Sequence, residues 1–117
     1  MTYQVIVADS AMDDMIETML YVMERWGEER ADVAYASLKS KFDLLATQPK
    51  LGRAVPELVA HGISNFRLYV HEGHTKFLYR IDDVNKTVTI RMIFSSHQDF
   101  QALLFDRILR HPSKPSV

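Results

Sequence analysis

The sequence predicts an α+β domain: an N-terminal strand and a helical hairpin packed on a small antiparallel sheet, closed by a short C-terminal helix. Three observations carry this. Up to about residue 48, apolar residues recur at spacings of three and four, the period of a helix face. Beyond residue 62 they recur at every second position, the period of a strand. Between the two lies a connector, Pro49 to Gly62, with Gly52, Pro56 and no sustained period.

Tyr3 to Ala8 reads as a short strand, with Val5 and Val7 on one face and Ile6 and Ala8 on the other. Asp9 or Ser10 is placed to cap a helix, and Asp13 and Asp14 fall in its first turn, where the backbone dipole favours negative charge. Met12, Met15, Ile16, Met19, Met23 and Trp26 then share one face of a helix spanning about 10–26, which Gly27 ends. A second helix, about 28–48, carries Ala31, Ala34, Tyr35, Leu38, Phe42 and Leu45 and stops before Pro49. The Gly-containing turn makes the pair an antiparallel hairpin. A row of methionines such as Met12, Met15, Met19 and Met23 suits an adaptable binding surface. Because Ile16 and Trp26 share its face, the row is expected in the core.

The strand period begins with Phe66 to His71, and Glu72-Gly73 reads as a turn. Lys76 to Asp82 follows, with Phe77, Tyr79 and Ile81 on one face, and Asp82 to Lys86 is a polar hairpin connection. In the last strand Val88, Ile90, Met92 and Phe94 form an apolar face opposite Thr87, Thr89, Arg91 and Ile93. Ser96-His97-Gln98-Asp99 opens a short helix bearing Phe100, Leu103, Leu104 and Ile108. A single domain is expected over 1–110, with 111–117, containing Pro112 and Pro115, as a loose tail.

Composition narrows the function. A chain of 117 residues, 47% hydrophobic and 25% charged, supports one core without staples. The lack of cysteine removes disulfides and thiolate metal sites. His71 and His74 have metal-ligand spacing but no third ligand nearby, so no metal and no cofactor are expected. No basic segment precedes an apolar run, and no apolar run approaches ~20 residues, so a cytoplasmic protein without a membrane partner is expected. Charge is split. Residues 1–48 hold nine acidic and four basic side chains, whereas residues 49–117 hold ten basic and six acidic. All five histidines lie in the basic part, so one surface suits an anionic or acidic partner. A net charge of −1 argues against a general nucleic-acid binder.

The arrangement becomes specific in Trp26-Gly27, Ala31, Tyr35-x-x-Leu38 and Phe42-x-x-Leu45-x-x-x-Pro49-x-x-Gly52-Arg53. Phe66-Arg67, Lys76-Phe77-Leu78-Tyr79-Arg80-Ile81 and Val88-x-Ile90-Arg91-Met92-Ile93-Phe94 complete it. In their order these segments resemble the RelE/ParE toxin superfamily, closer to its ParE branch, from about Tyr3 to Phe105. The resemblance implies a type II toxin neutralised by a cognate antitoxin. It also implies one of two targets: DNA gyrase, as in the ParE branch, or ribosome-bound mRNA, as in the RelE-branch ribonucleases.

Cleavage of RNA by its 2′-hydroxyl needs a base, an acid and cations around the phosphate. The candidates are His97 as acid or base, with Arg67 and Arg91 as a phosphate clamp and Lys76 and Tyr79 between them. Ser96-His97-Gln98-Asp99-Phe100 resembles a stretch of some ribonuclease relatives. Against this, polar strand faces ordinarily carry arginine, Tyr79 is in phase with the core residues Phe77 and Ile81, and His97 fits a capping turn. Cations are also sparse for a protein that grips RNA by its phosphates. The sequence therefore favours a non-catalytic gyrase inhibitor. Its contacts are expected from the segment Phe100 to Arg110 and the open sheet residues.

Overall fold

The computed structural model of the chain describes residues 2–71, 75–95 and 98–109. Strand β1 (Gln4–Val7) leads into helices α1 (Asp9–Trp26) and α2 (Glu28–Leu44). The two-residue strand β2 (Arg53–Ala54) and the short helix α3 (Pro56–Val59) follow. Then come β3 (Phe66–His71), β4 (Thr75–Asp82) and β5 (Thr87–Ser95). Helix α4 (Phe100–Leu104) runs on into a π-helical turn at Phe105–Leu109. The five strands form one sheet in the order β1-β5-β4-β3-β2.

The α+β class and the helical hairpin match the sequence expectation, with one correction in the sheet. Strand β1 pairs parallel to β5, with Gln4 opposite Thr87 and Val7 opposite Ile90, so the sheet is mixed. A parallel pair needs a long connection between its strands. Here the hairpin and the three antiparallel strands β2–β4 supply it. The connector, read as irregular, also holds β2 and α3.

Both faces of the sheet are covered. On one, Ala11 and Met15 of α1 and Leu38 and Phe42 of α2 pack on Phe77, Tyr79, Ile81, Val88, Ile90 and Ile93. On the other, Leu58 of α3 and Leu104 and Ile108 of the C-terminal helix cover Phe66, Leu68, Leu78, Met92 and Phe94. Two buried faces explain why Phe77-Leu78-Tyr79 is buried at three consecutive positions.

The expected single face of β5 is split. The β4–β5 register steps from Leu78 opposite Met92 to Tyr79 opposite Ile90, which leaves Arg91 as an extra residue. This β-bulge sends Val88 and Ile90 to the face under α1 and α2 but Met92 and Phe94 to the other. One inserted residue shifts the alternation by one, and the bulge decides where Arg91 goes.

Helix α1 also departs from expectation. It begins at Asp9 with Ala8 as its cap residue, and no side chain caps it. Of the methionine row only Met15 is buried; Met12, Met23, Ile16 (54% exposed) and Trp26 (58% exposed) lie open. Small Ala11 lets the helix approach the sheet closely, so its contact face is narrower than its apolar face.

Asp14 does more than complement a dipole. Its Oδ2 accepts the Ile93 amide at 3.0 Å, prolonging the β5 edge beyond the point where β1 ends. Both of its carboxylate oxygens also take the Arg107 guanidinium, at 3.2 and 2.8 Å. One side chain thus ties α1, β5 and the C-terminal helix together. At the β4–β5 turn, Asp82 accepts the Val84 and Asn85 amides and the Asn85 side chain. Those bonds hold its carboxyl below the ordinary aspartate value.

Candidate functional site

Arg67 and Tyr79 face each other across β3 and β4, on the side covered by α1 and α2. The buried Tyr79 hydroxyl accepts the Gly52 amide at 2.7 Å and donates to the Pro49 carbonyl at 2.7 Å. Arg67 donates to the Gly52 carbonyl. Together they fasten the connector to the sheet, and Arg67 is spent on backbone. Burial raises the Tyr79 phenol above its ordinary value, against the opposing effects of the Gly52 amide and the Arg67 charge.

Two results are expected at Tyr79. Tyr79→Phe removes both hydrogen bonds and orphans a buried N–H, at a cost of about 1–2 kcal/mol in urea unfolding. A raised pKa means that the fold favours the protonated phenol. Its contribution is therefore complete below the unfolded value of 10.0 and is lost as the pH rises through the higher folded value. Stability measured from pH 9 upward should fall less steeply in Tyr79→Phe than in the wild type.

Arg91 occupies the opposite side of the sheet. The bulge places its guanidinium over the Phe66 ring, 5.6 Å from the centroid. There it lines a cavity of about 430 Å³ together with Arg80, Asn65 and Ile108. Its Nε is buried without a hydrogen-bond partner. Burial lowers its pKa, and the nearby charges of Arg80 and Arg107 lower it further. Strand alternation sets Lys76 on this same side, two residues from Leu78. Arg67 and Arg91 are therefore separated by the thickness of the sheet, and the structure does not bring together these two candidates for a phosphate clamp.

His97 lies outside the described residues, as do the Glu72-Gly73 turn, His74 and the tail 111–117. His71 is buried beneath α2, with its Nε2 3.2 Å from the Ser37 hydroxyl. No group of three metal-ligating side chains occurs among the described residues.

A second surface lies on α1, where the sequence favoured core over an adaptable binding surface. Met12, Ile16, Leu20 and Met23 leave an apolar stripe open along α1. At its far end Arg25 sits over both the Tyr21 ring (5.5 Å) and the Trp26 ring (5.4 Å), with the two rings edge to face. Exposed Trp, Tyr and Arg are the residue types that dominate protein–protein interfaces. The sequence held a signal for it: Leu20 and Tyr21 lie off the predicted core face, and a helix apolar on two sides requires two partners.

The model of the family described as ParE toxin of type II toxin-antitoxin systems matches residues 5–100. The chain belongs to the ParE toxin family. The match runs from β1 to the first residue of α4, so the sheet, the hairpin and the connector are all family scaffold. No curated protein matches the toxin's sequence significantly.

Among solved structures the toxin is similar to a chain of the toxin–antitoxin complex RelBE2 from Mycobacterium tuberculosis. That match has 21% identity and a TM-score of 0.57, covering 81% of this chain and 99% of the other. It is also similar to a mutant of E. coli toxin RelE in the free state, at 10% identity and a TM-score of 0.59, covering 96% of this chain and 99% of that one. At such identities the likeness shows the fold. Among the described residues no helix is long and apolar enough to cross a membrane.

Proposed function

We propose that this toxin inhibits DNA gyrase by binding rather than cleaving RNA, and that a cognate antitoxin neutralises it by covering the open face of the hairpin. The placement of the arginines carries the first part. Arg67 is committed to the Gly52 carbonyl under the helices, and Arg91 lies across the sheet from it. Two cations on opposite faces cannot hold one phosphate, and the match to the ParE family supports the same reading. For the second part, the stripe on α1 suits the apolar face of an antitoxin helix, and the similar RelBE2 structure is a toxin–antitoxin complex.

The competing reading is a ribosome-dependent mRNA interferase. It rests on the likeness in fold to RelE and on His97. Growth arrest by variants separates the two. With a gyrase target, His97→Ala should arrest growth like the wild type, and Arg67→Ala should lose toxicity only as far as it loses stability. With a nuclease, His97→Ala should lose a proton-transfer group worth about 10²–10⁴ in cleavage rate. On the open helix face, Ile16→Glu should unfold within about 0.5 kcal/mol of the wild type. The same variant should fail to co-purify with the antitoxin. Retained co-purification would place the antitoxin elsewhere.

A further inference from the structure

The cavity around Arg91 is a second candidate surface, on the side of the sheet away from the hairpin. Two guanidinium groups line it, from Arg80 on β4 and Arg91 in the bulge of β5. Neither makes an ion pair among the described residues, whereas Arg107, close enough to perturb Arg91, is neutralised by Asp14. The guanidinium of Arg91 sits over the ring of Phe66, which stands opposite Arg80 in the β3–β4 register. Ile63 and Ile108 complete apolar walls around the two charges. Two like charges held near each other without a direct ion-pair partner among the described residues repel, and a single shared anion relieves both.

We propose that this cleft is a binding site for one carboxylate, the glutamate or aspartate side chain of an acidic protein segment. The two guanidiniums would take its oxygens, and the apolar walls would take its methylene stem and neighbouring residues. The surroundings favour a lone carboxylate over a nucleic-acid backbone. Regularly spaced phosphates require a row of cations. Here Asp82, near enough to feel the Arg80 charge, and Asp83 follow directly along the chain. Asp82 is turned into the β4–β5 turn by the Val84 and Asn85 amides, and it makes no direct ion pair with Arg80. This site goes beyond the proposed function and depends neither on the target nor on the antitoxin face.

The test is a titration of the full-length, isotope-labelled protein, followed through the backbone amides of Asn65, Phe66 and Arg91. The probes are the capped peptide acetyl-Leu-Glu-Leu-amide, its glutamine analogue and a short single-stranded oligonucleotide. Saturable shifts are expected with the glutamate peptide, and about tenfold or weaker affinity for the glutamine analogue. Arg80→Gln, at an exposed position, should weaken the glutamate peptide by a similar factor without disturbing the fold. Arg91→Met keeps an unbranched side chain without the charge and should do the same. Equal binding of the two peptides, wild-type affinity in both variants, or no saturable shift would overturn the proposal. So would an oligonucleotide that binds these amides more tightly than the glutamate peptide, which would make the cleft a nucleic-acid site.

Discussion

Gly52→Ala is expected to destabilise the toxin by about 2–3 kcal/mol. A Cβ at this position would stand 2.7 Å from the Leu68 carbonyl oxygen, and 3.0 Å from both the Leu68 carbonyl carbon and Tyr79 Cε1. The nearest of these atoms is backbone in the middle of β3, which cannot rotate away, so the connector itself must retreat. In retreating it stretches the Tyr79 bond to the Gly52 amide and the Arg67 bond to the Gly52 carbonyl. It also pulls on the pairing of Arg53 with Leu68. Urea unfolding of purified protein reads the effect as a lower midpoint at constant slope. A midpoint within error of the wild type would mean that the connector is not fastened as described. Because the toxin family is defined over this segment, a Gly52 variant with unchanged stability but reduced toxicity would instead make the connector a contact surface.

Asp14→Ala is expected to cost about 2–4 kcal/mol. It orphans the Ile93 amide at the open end of β5 and leaves Arg107 without its counter-charge. The two side chains are only 16% and 24% exposed, so water compensates incompletely. Asp14→Asn keeps an acceptor for Ile93 but weakens the bond to Arg107, and should fall between Asp14→Ala and the wild type. A double-mutant cycle with Arg107→Ala should return a coupling of about 1–2 kcal/mol, since each partner's loss is partly the loss of the other. Strict additivity would show that the two side chains stabilise the toxin independently.

Much of this architecture is legible in the sequence, and the failures have physical reasons. Strand β3 lies over the residues its alternation marks, Phe66 to His71. The hairpin follows from its period and from Gly27, which takes a φ of +95° at the junction of the two helices. The direction of β1 is not encoded locally. Four residues carry no mark of which way their partner runs, and pairing with β5 is settled by the path of everything between. The bulge at Arg91 is hidden because both faces are buried there, so apolar residues occupy them alike. Met92-Ile93-Phe94, three apolar residues in succession, was the available hint that alternation alone would not assign the faces.

The candidate sites are less legible than the fold. The spacing of Met12, Ile16, Met23 and Trp26 announces an apolar face, but periodicity does not say which partner covers it. The sheet takes Ala11 and Met15, and the rest of the stripe stays open. Arg67 and Arg91 looked equivalent as strand arginines. The bulge and the Gly52 carbonyl, neither visible in the sequence, give them unrelated roles. Asp14 read as a favourable charge in a first turn, whereas its contacts are 79 and 93 residues away.

This ParE-family toxin is proposed to act on gyrase by binding. The most direct measurement adds purified wild-type protein to a gyrase supercoiling reaction and, in parallel, to translating ribosomes with a defined message. Supercoiling is expected to stop at toxin concentrations stoichiometric with the enzyme while the message stays intact. Cleaved message with unaffected supercoiling would contradict it.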